Sequence, residues 1–151
     1  MKKGFTLIEI LVALGIIVLL CVIIIGSFSS FRKSQNFNNA IEDTISIFNS
    51  ARAKTLSSEN ASQYGIHLDS SKATLFKGTV FSQTDPNNQI INLDSSIEIV
   101  NISINGGGSD VVFNRLKGDT SDHGSFVIRV KSDTSKSKTI SIKSTGIVNA
   151  L

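Results

Sequence analysis

One acidic side chain lies in an otherwise apolar segment close to the N terminus. Residues 5–25 read FTLIEILVALGIIVLLCVIII, in which Thr6 and Glu9 are the two strongly polar members. A carboxylate in such a helix costs about 2.5–3.5 kcal/mol near a bilayer centre and less toward its edge, so it usually marks a function or a partner. Cleavage after Gly4 would give Phe5 a new α-ammonium group, which could neutralise the carboxylate of a neighbouring chain. The alternative is that Glu9 lies in the headgroup zone near its own N terminus, and this residue alone leaves the two interpretations even.

One C-terminal loop contains the residue types of a hydrolytic triad. Asp122, His123 and Ser125 lie together with Gly118 and Gly124. A triad is defined by its spatial geometry, which nothing in this spacing fixes. We therefore interpret the loop as a solvated turn without catalytic residues.

The same loop offers oxygen atoms for a cation. Asp119, Ser121 and Asp122 could contribute them, but their order departs from the D-x-[DN]-x-[DN]-G spacing of a calcium loop. With one Cys, Cys21, and two His, the sequence has too few ligands for an ordinary His/Cys metal site. We predict no metal and no cofactor.

Two further features have ordinary structural interpretations. His67 falls in a strand pattern, so we interpret it as a half-exposed strand residue rather than a ligand. The run Gly106-Gly107-Gly108 lacks the Lys-Ser/Thr that follows a phosphate-binding loop, so it indicates a flexible turn.

The charge balance is too mild to require a nucleic-acid partner. Lys and Arg total 15 against 12 Asp and Glu, a formal net charge of +3. Residues 110–151 are locally basic, and the candidate phosphate contacts there are Arg115, Lys117, Arg129 and Lys131. Solvated strand faces explain these residues equally well, and little aromatic surface is available for base stacking. DNA is therefore kept as an alternative partner.

The apolar segment itself predicts a membrane-spanning helix. Its 21 residues span roughly 32 Å, close to the ~30 Å of a bilayer core. Lys2 and Lys3 precede it, which favours a cytoplasmic N terminus and export of the rest, although Arg32 and Lys33 weaken that prediction.

Two kinds of removable signal compete with a retained anchor. A secretory signal would require a small-residue cleavage site after the apolar core, and none of the A-x-A type follows it. A lipoprotein signal ending at Cys21 would require a small residue before the Cys, where Leu20 stands. A retained anchor with a special N-terminal feature fits best.

The N-terminal motif resembles the class III signal of type IV pilins and type II secretion pseudopilins. The resemblance rests on Lys3-Gly4-Phe5-Thr6-Leu7-Ile8-Glu9 followed by an unbroken apolar helix, and it covers about the first 30 residues. It implies that a prepilin peptidase cleaves after Gly4 and N-methylates Phe5. It also implies that Glu9 pairs with the N terminus of a neighbouring subunit during assembly. One departure is Gly26, where many type IV pilins have Pro.

The remaining pattern predicts an α+β fold. We expect one helix from Phe5 to about Ser57, with an amphipathic second half whose buried stripe is Phe37, Ile41, Ile45 and Phe48. Alternating apolar residues then predict antiparallel strands, with a bulge between Ile99 and Val100 and turns that include 132–137. The predicted segments are a leader at 1–4, a transmembrane or filament-core helix at 5–30, an amphipathic helix half at 31–58 and a β-rich domain at 59–151.

The C-terminal half is similar to H-type minor pseudopilins and FimT-like minor pilins. The similarity lies in Phe113, Gly118, the segments 124–128 and 138–142, and the final Thr145-Gly146-Ile147-Val148. It implies a long helix against two small β-sheets. The absence of a Cys pair near the C terminus further favours a pseudopilin or a minor subunit.

Together these features predict a structural subunit, not an enzyme, of a type II secretion pseudopilus or a type IV pilus, as a minor or tip component. The expected partners are other subunits, the prepilin peptidase, an inner-membrane assembly platform and, before assembly, membrane lipid. The expected location is the bacterial inner membrane and then a periplasmic or cell-surface filament. The alternatives are a DNA- or surface-binding minor pilin and an unprocessed, membrane-anchored β ectodomain.

Overall fold

The computed structural model describes Gly4 and residues 6–151, and for residues 23–30 it describes the backbone alone. The chain forms two compact units, Met1–Gln35 and Asn36–Leu151. Helix α1 comprises 50 residues, Leu7–Leu56, so the single long helix expected from the sequence is confirmed.

A left-handed residue ends the helix. Ser58 has φ 52° and ψ 38°, and its backbone N–H donates to the Thr55 carbonyl. A left-handed residue after the last turn commonly terminates a helix, although glycine is the usual residue there. A short 3-10 turn, Glu59–Ala61, then leads into the strands.

In the described part of the chain, eight antiparallel strands form two four-stranded sheets. Sheet A has the order β3-β2-β1-β5 and sheet B the order β4-β6-β7-β8. The strands are β1 Tyr64–Leu68, β2 Lys72–Lys77, β3 Gln89–Asn92, β4 Ile97–Ile104, β5 Asp110–Val112, β6 Gly124–Val130, β7 Asp133–Ile142 and β8 Val148–Ala150. A long N-terminal helix with two antiparallel sheets confirms the predicted α+β class.

Several strand details differ from the prediction. The turn predicted at 132–137 is wrong from Asp133 onward, because β7 begins there. Residues 133–137 are all exposed, so they lack the apolar alternation by which a strand is recognised. The predicted bulge lies further along β4: the register shifts between Val100 and Ser103, and Asn101 has φ 52°. The short strands β3 and β5 were not predicted.

The hydrophobic core lies between the second half of α1 and the two sheets. Phe48 on the helix and Phe126 on β6 are fully buried, and their stacked rings lie 5.9 Å apart. Phe113, in the loop after β5, is also fully buried. All residues of this core fall between Ala40 and Val148, within the second compact unit.

The helix stripe that enters the core differs from the predicted one. Of the predicted residues, Phe48 is fully buried, while Phe37, Ile41 and Ile45 are half-buried and pack at its margin. The buried stripe consists of small residues as well as large ones: Ala40, Thr44, Ile47, Phe48, Ala51 and Thr55. An apolar periodicity weights large side chains and therefore does not reveal the small and hydroxyl-bearing members of this stripe.

Candidate functional site

The predicted cleavage position lies on an accessible part of the chain. Gly4 is exposed, and no atom beyond its chain neighbours lies within 4 Å of the position a Cβ would occupy. Phe5, the predicted methylation site, and residues 1–3 lie outside the described residues. The structure therefore describes the Gly4 side of the predicted scissile bond.

Thr6 caps the first turn of α1. The Glu9 backbone N–H donates to Thr6 Oγ1 at 3.3 Å, and the Ile10 N–H donates to the Thr6 carbonyl at 3.3 Å. The order Thr-x-x-Glu is that of a capping box, which gives Glu9 a local role in the first turn. A carboxylate there also interacts favourably with the positive end of the helix dipole.

The Glu9 carboxylate is unpaired as far as the described part of the chain extends. Among the described residues it takes part in no ion pair and no side-chain hydrogen bond, so the capping box is formed on one side only. Its side chain is exposed and borders a hollow on the helix surface that is otherwise lined by Ile10, Ala13, Leu14 and Ile17. An unpaired charge beside an apolar surface is available to a group from another molecule.

The apolar part of α1 exposes its side chains all round. Among the side chains that the structure describes there, twelve are more than half exposed, from 52% at Ile10 to 77% at Leu7: Leu7, Ile8, Ile10, Leu11, Val12, Leu14, Ile16, Ile17, Val18, Leu19, Leu20 and Val22. A helix that is hydrophobic on every face is normally covered by lipid or by protein.

Within the described part of the chain, no helix is both long enough and apolar enough to cross a membrane. The segment 5–30 predicted as a span includes Phe5 and the side chains of residues 23–30, which lie outside that part.

The four basic residues predicted as possible phosphate contacts form two separate pairs. Arg115 and Lys117 lie on the loop after β5, where Arg115 Nε donates to Ser58 Oγ at 2.6 Å. Arg129 and Lys131 lie at the end of β6. Arg129 Nε is 2.7 Å from the carboxylate of Glu98, its cross-strand neighbour on β4, and Lys131 Nζ donates to the Ser95 carbonyl at 2.9 Å.

The two pairs lie toward opposite ends of the globular unit. The loop of Lys117 reaches the last turn of α1, since the Leu116 N–H donates to the Thr55 carbonyl. Lys131 instead bonds the Ser95 carbonyl, and the preceding residue, Asp94, lines a hollow together with Asp43 of α1. Twelve residues of helix separate Asp43 from Thr55, or about 18 Å. The structure thus gathers no single basic patch from the four residues, and DNA contact stays a prediction.

Hydrogen bonds give a structural role to the loop that contains Asp122, His123 and Ser125. Asp122 Oδ2 accepts the Val112 backbone N–H at 2.9 Å, and the ring of His123 contacts the Ser121 carbonyl at 3.0 Å. Asp119 accepts the side-chain amide of Asn114 at 2.8 Å. These contacts hold the loop on β5 and leave His123 without a triad arrangement. In the described residues, no three His, Cys, Asp or Glu side chains converge as metal ligands.

Sequence reasoning missed a cluster on the outer face of sheet A. The His67 ring stacks on Phe81 with centroids 3.9 Å apart, while its Nδ1 lies 2.5 Å from Asp110 Oδ1. Phe81 also packs edge-on against the buried Phe76. These contacts fasten the loop after β2 to the sheet. Because Asp110 is 43 residues from His67, no local pattern signals the pair.

The chain resembles known proteins in two features, its N-terminal motif and its fold. Residues 1–25 match the family model described as the prokaryotic N-terminal methylation motif. No curated protein matches the chain in sequence.

Solved structures of two proteins resemble the fold. Two crystal forms of the type IV minor pilin FimU of Pseudomonas aeruginosa give TM-scores of 0.57 and 0.60, at 14% and 13% identity. They cover 76% and 80% of this chain and 91% and 92% of FimU. The minor pseudopilin EpsH of the Vibrio cholerae type 2 secretion system gives a TM-score of 0.51 at 10% identity, covering 76% of this chain and 94% of EpsH.

The long helix, the two sheets and the N-terminal methylation motif define a pilin-like protein. Residues 1–25 match the methylation motif and the fold is that of the minor pilin and minor pseudopilin compared, so the resemblance inferred from the first 30 residues is confirmed. The finer similarity to the H-type and FimT-like subtype stays a prediction.

Proposed function

We propose that this protein is a structural subunit of a type IV pilus or a type II secretion pseudopilus. The observation that carries the proposal is the coincidence, in one chain, of the methylation motif at residues 1–25 and a pilin-like fold. It acts by assembling with other subunits and has no catalytic role. A minor position is supported by the likeness to FimU and EpsH, which are both minor subunits.

The first step is processing by a prepilin peptidase. The enzyme cleaves the bond after Gly4 and methylates the new N terminus at Phe5. The exposure of Gly4 and the open space around it support this step, because a peptidase must reach the backbone on both sides of the bond. Removal of residues 1–4 also removes Lys2 and Lys3 and leaves a single ammonium group ahead of the helix.

The second step is pairing of Glu9 with the N-terminal ammonium of a neighbouring subunit. The lack of any partner for the Glu9 carboxylate among the described residues supports this role. When helices pack around Glu9, its charge loses water, and an unpaired buried charge costs several kcal/mol. An ammonium from the next subunit removes that cost in one axial register only, so the pair would select the register of assembly.

The apolar segment would serve two environments in turn. Before assembly, residues 5–30 hold the subunit in the inner membrane, with the β-rich domain outside the cytoplasm and the assembly platform as a partner. After extraction, the same side chains pack against the helices of neighbours in the filament. Their exposure on all faces of the isolated helix supports both roles.

Processing is tested by replacing Gly4 with a bulky residue in cells that carry the peptidase. We expect Gly4→Leu to leave a longer precursor, and the mass of the wild-type N terminus to show loss of residues 1–4 and one added methyl group. A wild-type chain that keeps its leader in such cells would instead indicate an unprocessed, membrane-anchored β ectodomain.

The role of Glu9 is tested by Glu9→Val, with Glu42→Val as the matched control on an exposed position of the same helix. We expect both variants to be cleaved normally, the Glu9 variant to be absent from sheared filaments and the Glu42 variant to be recovered in them. Normal incorporation of the Glu9 variant would refute the pairing role.

A further inference from the structure

Strand β3 leaves one edge of sheet A open to hydrogen bonding. The Leu93 N–H donates to the Ser71 carbonyl, which sets the alternation of the ladder between β3 and β2. Hydrogen-bonded and non-hydrogen-bonded pairs alternate in an antiparallel ladder, so Ile91 bonds to β2 while Ile90 and Asn92 do not. The N–H and C=O groups of Ile90 and Asn92 therefore point away from the sheet. Within the described part of the chain, none of these four groups has a hydrogen bond.

The chain closes the opposite edge of the same sheet with side chains. On β5 the Val112 N–H donates to Asp122 Oδ2 at 2.9 Å, and the Val112 carbonyl accepts the Thr120 hydroxyl at 2.7 Å. These two bonds occupy the backbone groups that a further strand beside β5 would need. Sheet A is thus closed at β5 and open at β3.

Strand β3 also lacks the residues by which an exposed edge is usually protected. Natural edge strands often carry charged side chains, Pro or a bulge, which oppose pairing with another chain. Although β3 is short, residues 89–92 include no charged residue and no Pro, and their register with β2 is regular. The Ile90 side chain is 50% exposed beside the free backbone groups. Such an edge is suited to receive an extended polypeptide segment.

The two faces of β3 differ in character, which defines the segment that fits beside it. Ile90 is the cross-strand neighbour of Thr74, on the outer face of the sheet. On the other side, a hollow of about 150 Å³ lies between the end of β3 and α1, and its polar lining includes Asn36 and Asn39. Side chains alternate between the two faces of a strand, so the matching segment alternates apolar residues on the outside with polar residues on the inside.

We propose that β3 binds an extended segment of another protein, which adds to sheet A as a fifth strand. The segment pairs its backbone with Ile90 and Asn92. Main-chain hydrogen bonds give such a contact its affinity, and the side chains that alternate along the segment give it selectivity. The contact is separate from assembly through the N-terminal helix, and it needs a single copy of this chain, in agreement with a minor position.

Photo-cross-linking of the full-length chain, in cells that produce it naturally, identifies the segment. Gln89, exposed on β3, is replaced by p-benzoylphenylalanine, and Asn149, exposed on the β8 edge of sheet B, is the control position. We expect one product from position 89 that position 149 does not give, mapped by mass spectrometry to a single segment of another protein. A dimer of this chain, the same product from both positions, products with many proteins, or no product would overturn the proposal.

Two substitutions at one position test the backbone requirement. Asn92→Pro removes the outward N–H without removing a bond to β2, an orientation in which Pro is tolerated on edge strands. Asn92→Thr keeps that N–H. We expect Asn92→Pro to lower the cross-link yield about five- to tenfold, as the loss of a backbone hydrogen bond predicts, and Asn92→Thr to leave it unchanged. Equal yields from the two variants would refute backbone pairing.

A charge at the same edge provides a test that does not depend on Pro. Ile90→Lys keeps every bond to β2 but places a protecting charge beside the free backbone groups. Gln83→Lys, at an exposed position of the preceding loop, is the matched control. We expect a lower cross-link yield for Ile90→Lys alone, and an unchanged yield for this variant would overturn the proposal.

Hydrogen exchange locates the pairing residue by residue. A synthetic peptide of the mapped segment is added to the purified full-length chain in detergent, at about ten times its Kd, where a bound site exchanges about tenfold more slowly. We expect this slowing at the amides of Ile90 and Asn92 and a much smaller change at Ile91, which already bonds to β2. Unchanged exchange at residues 90 and 92 would show that β3 is not the binding edge.

The result is independent of the proposed function. A chain that is cleaved and recovered in sheared filaments but gives no cross-link from position 89 refutes the β3 site and leaves the structural role in place.

Discussion

The Thr55 hydroxyl connects the last turn of α1 to the first strand, and its removal tests how the helix is fastened to the sheets. Thr55 is fully buried, and its Oγ1 donates to the Ala51 carbonyl while accepting the Tyr64 backbone N–H at 3.0 Å. Thr55→Val keeps the shape and the helix propensity nearly unchanged. It leaves the N–H of Tyr64, itself a buried residue, without that acceptor.

The same helix supplies a matched control. Thr44 is also fully buried, but its Oγ1 takes part in one local hydrogen bond, to the Ala40 carbonyl at 2.7 Å. That carbonyl lies inside the helix, where it also accepts a backbone N–H, so Thr44→Val leaves no polar group without a hydrogen bond. An unsatisfied buried donor costs about 1–3 kcal/mol, whereas a lost local side-chain bond is nearly neutral.

The assay is thermal unfolding of the unit Asn36–Leu151, which contains the whole core. At about 4 °C per kcal/mol for a domain of this size, Thr55→Val should lower the melting temperature by roughly 4–12 °C. Thr44→Val should change it by much less. Equal shifts for the two variants would refute the claim that the bond to Tyr64, rather than the hydroxyl in general, stabilises the fold.

Two further predictions concern the sheets and loops. Gly146→Ala should destabilise the unit by about 2–5 kcal/mol, because φ is +77° there and the new Cβ would collide with the Gly118 carbonyl oxygen. A urea unfolding midpoint near that of the wild type would contradict this close approach. Glu98→Gln should cost about 1 kcal/mol or less, because its partner Arg129 is partly exposed and the ion pair is screened. A larger loss in the same urea titration would mean that this pair organises sheet B.

Local patterns were sufficient for the N terminus and for the existence of the main elements. The methylation motif and the start of α1 could be predicted directly, since both depend on neighbours a few residues apart, and the roles of Gly4 and Glu9 stay predictions. The length of α1 followed from continuous helical periodicity without Pro, and its end was placed at Ser57, one residue beyond the observed Leu56. The alternation at Phe126, Ile128 and Val130 likewise located β6.

Contacts between residues far apart in the sequence could be found only in the tertiary structure. The predicted helix stripe was displaced because apolar periodicity weights large side chains, whereas the buried face also includes hydroxyl residues such as Thr44 and Thr55. Strand β7 begins in exposed polar residues, of which Asp133 and Ser137 pair with Val130 and Arg129 of β6, so pairing rather than burial marks this part of the strand.

The sequence by itself predicted an apolar N-terminal helix with one acidic residue, a leader motif ending at Gly4 and a β-rich remainder, because each of these is encoded within a few turns or strand residues. Only the tertiary structure decided the order of the strands, the meeting of His67 with Asp110 and the separation of Arg115 from Arg129. These depend on how the chain folds back on itself over tens of residues, where the packing of whole elements outweighs any local preference.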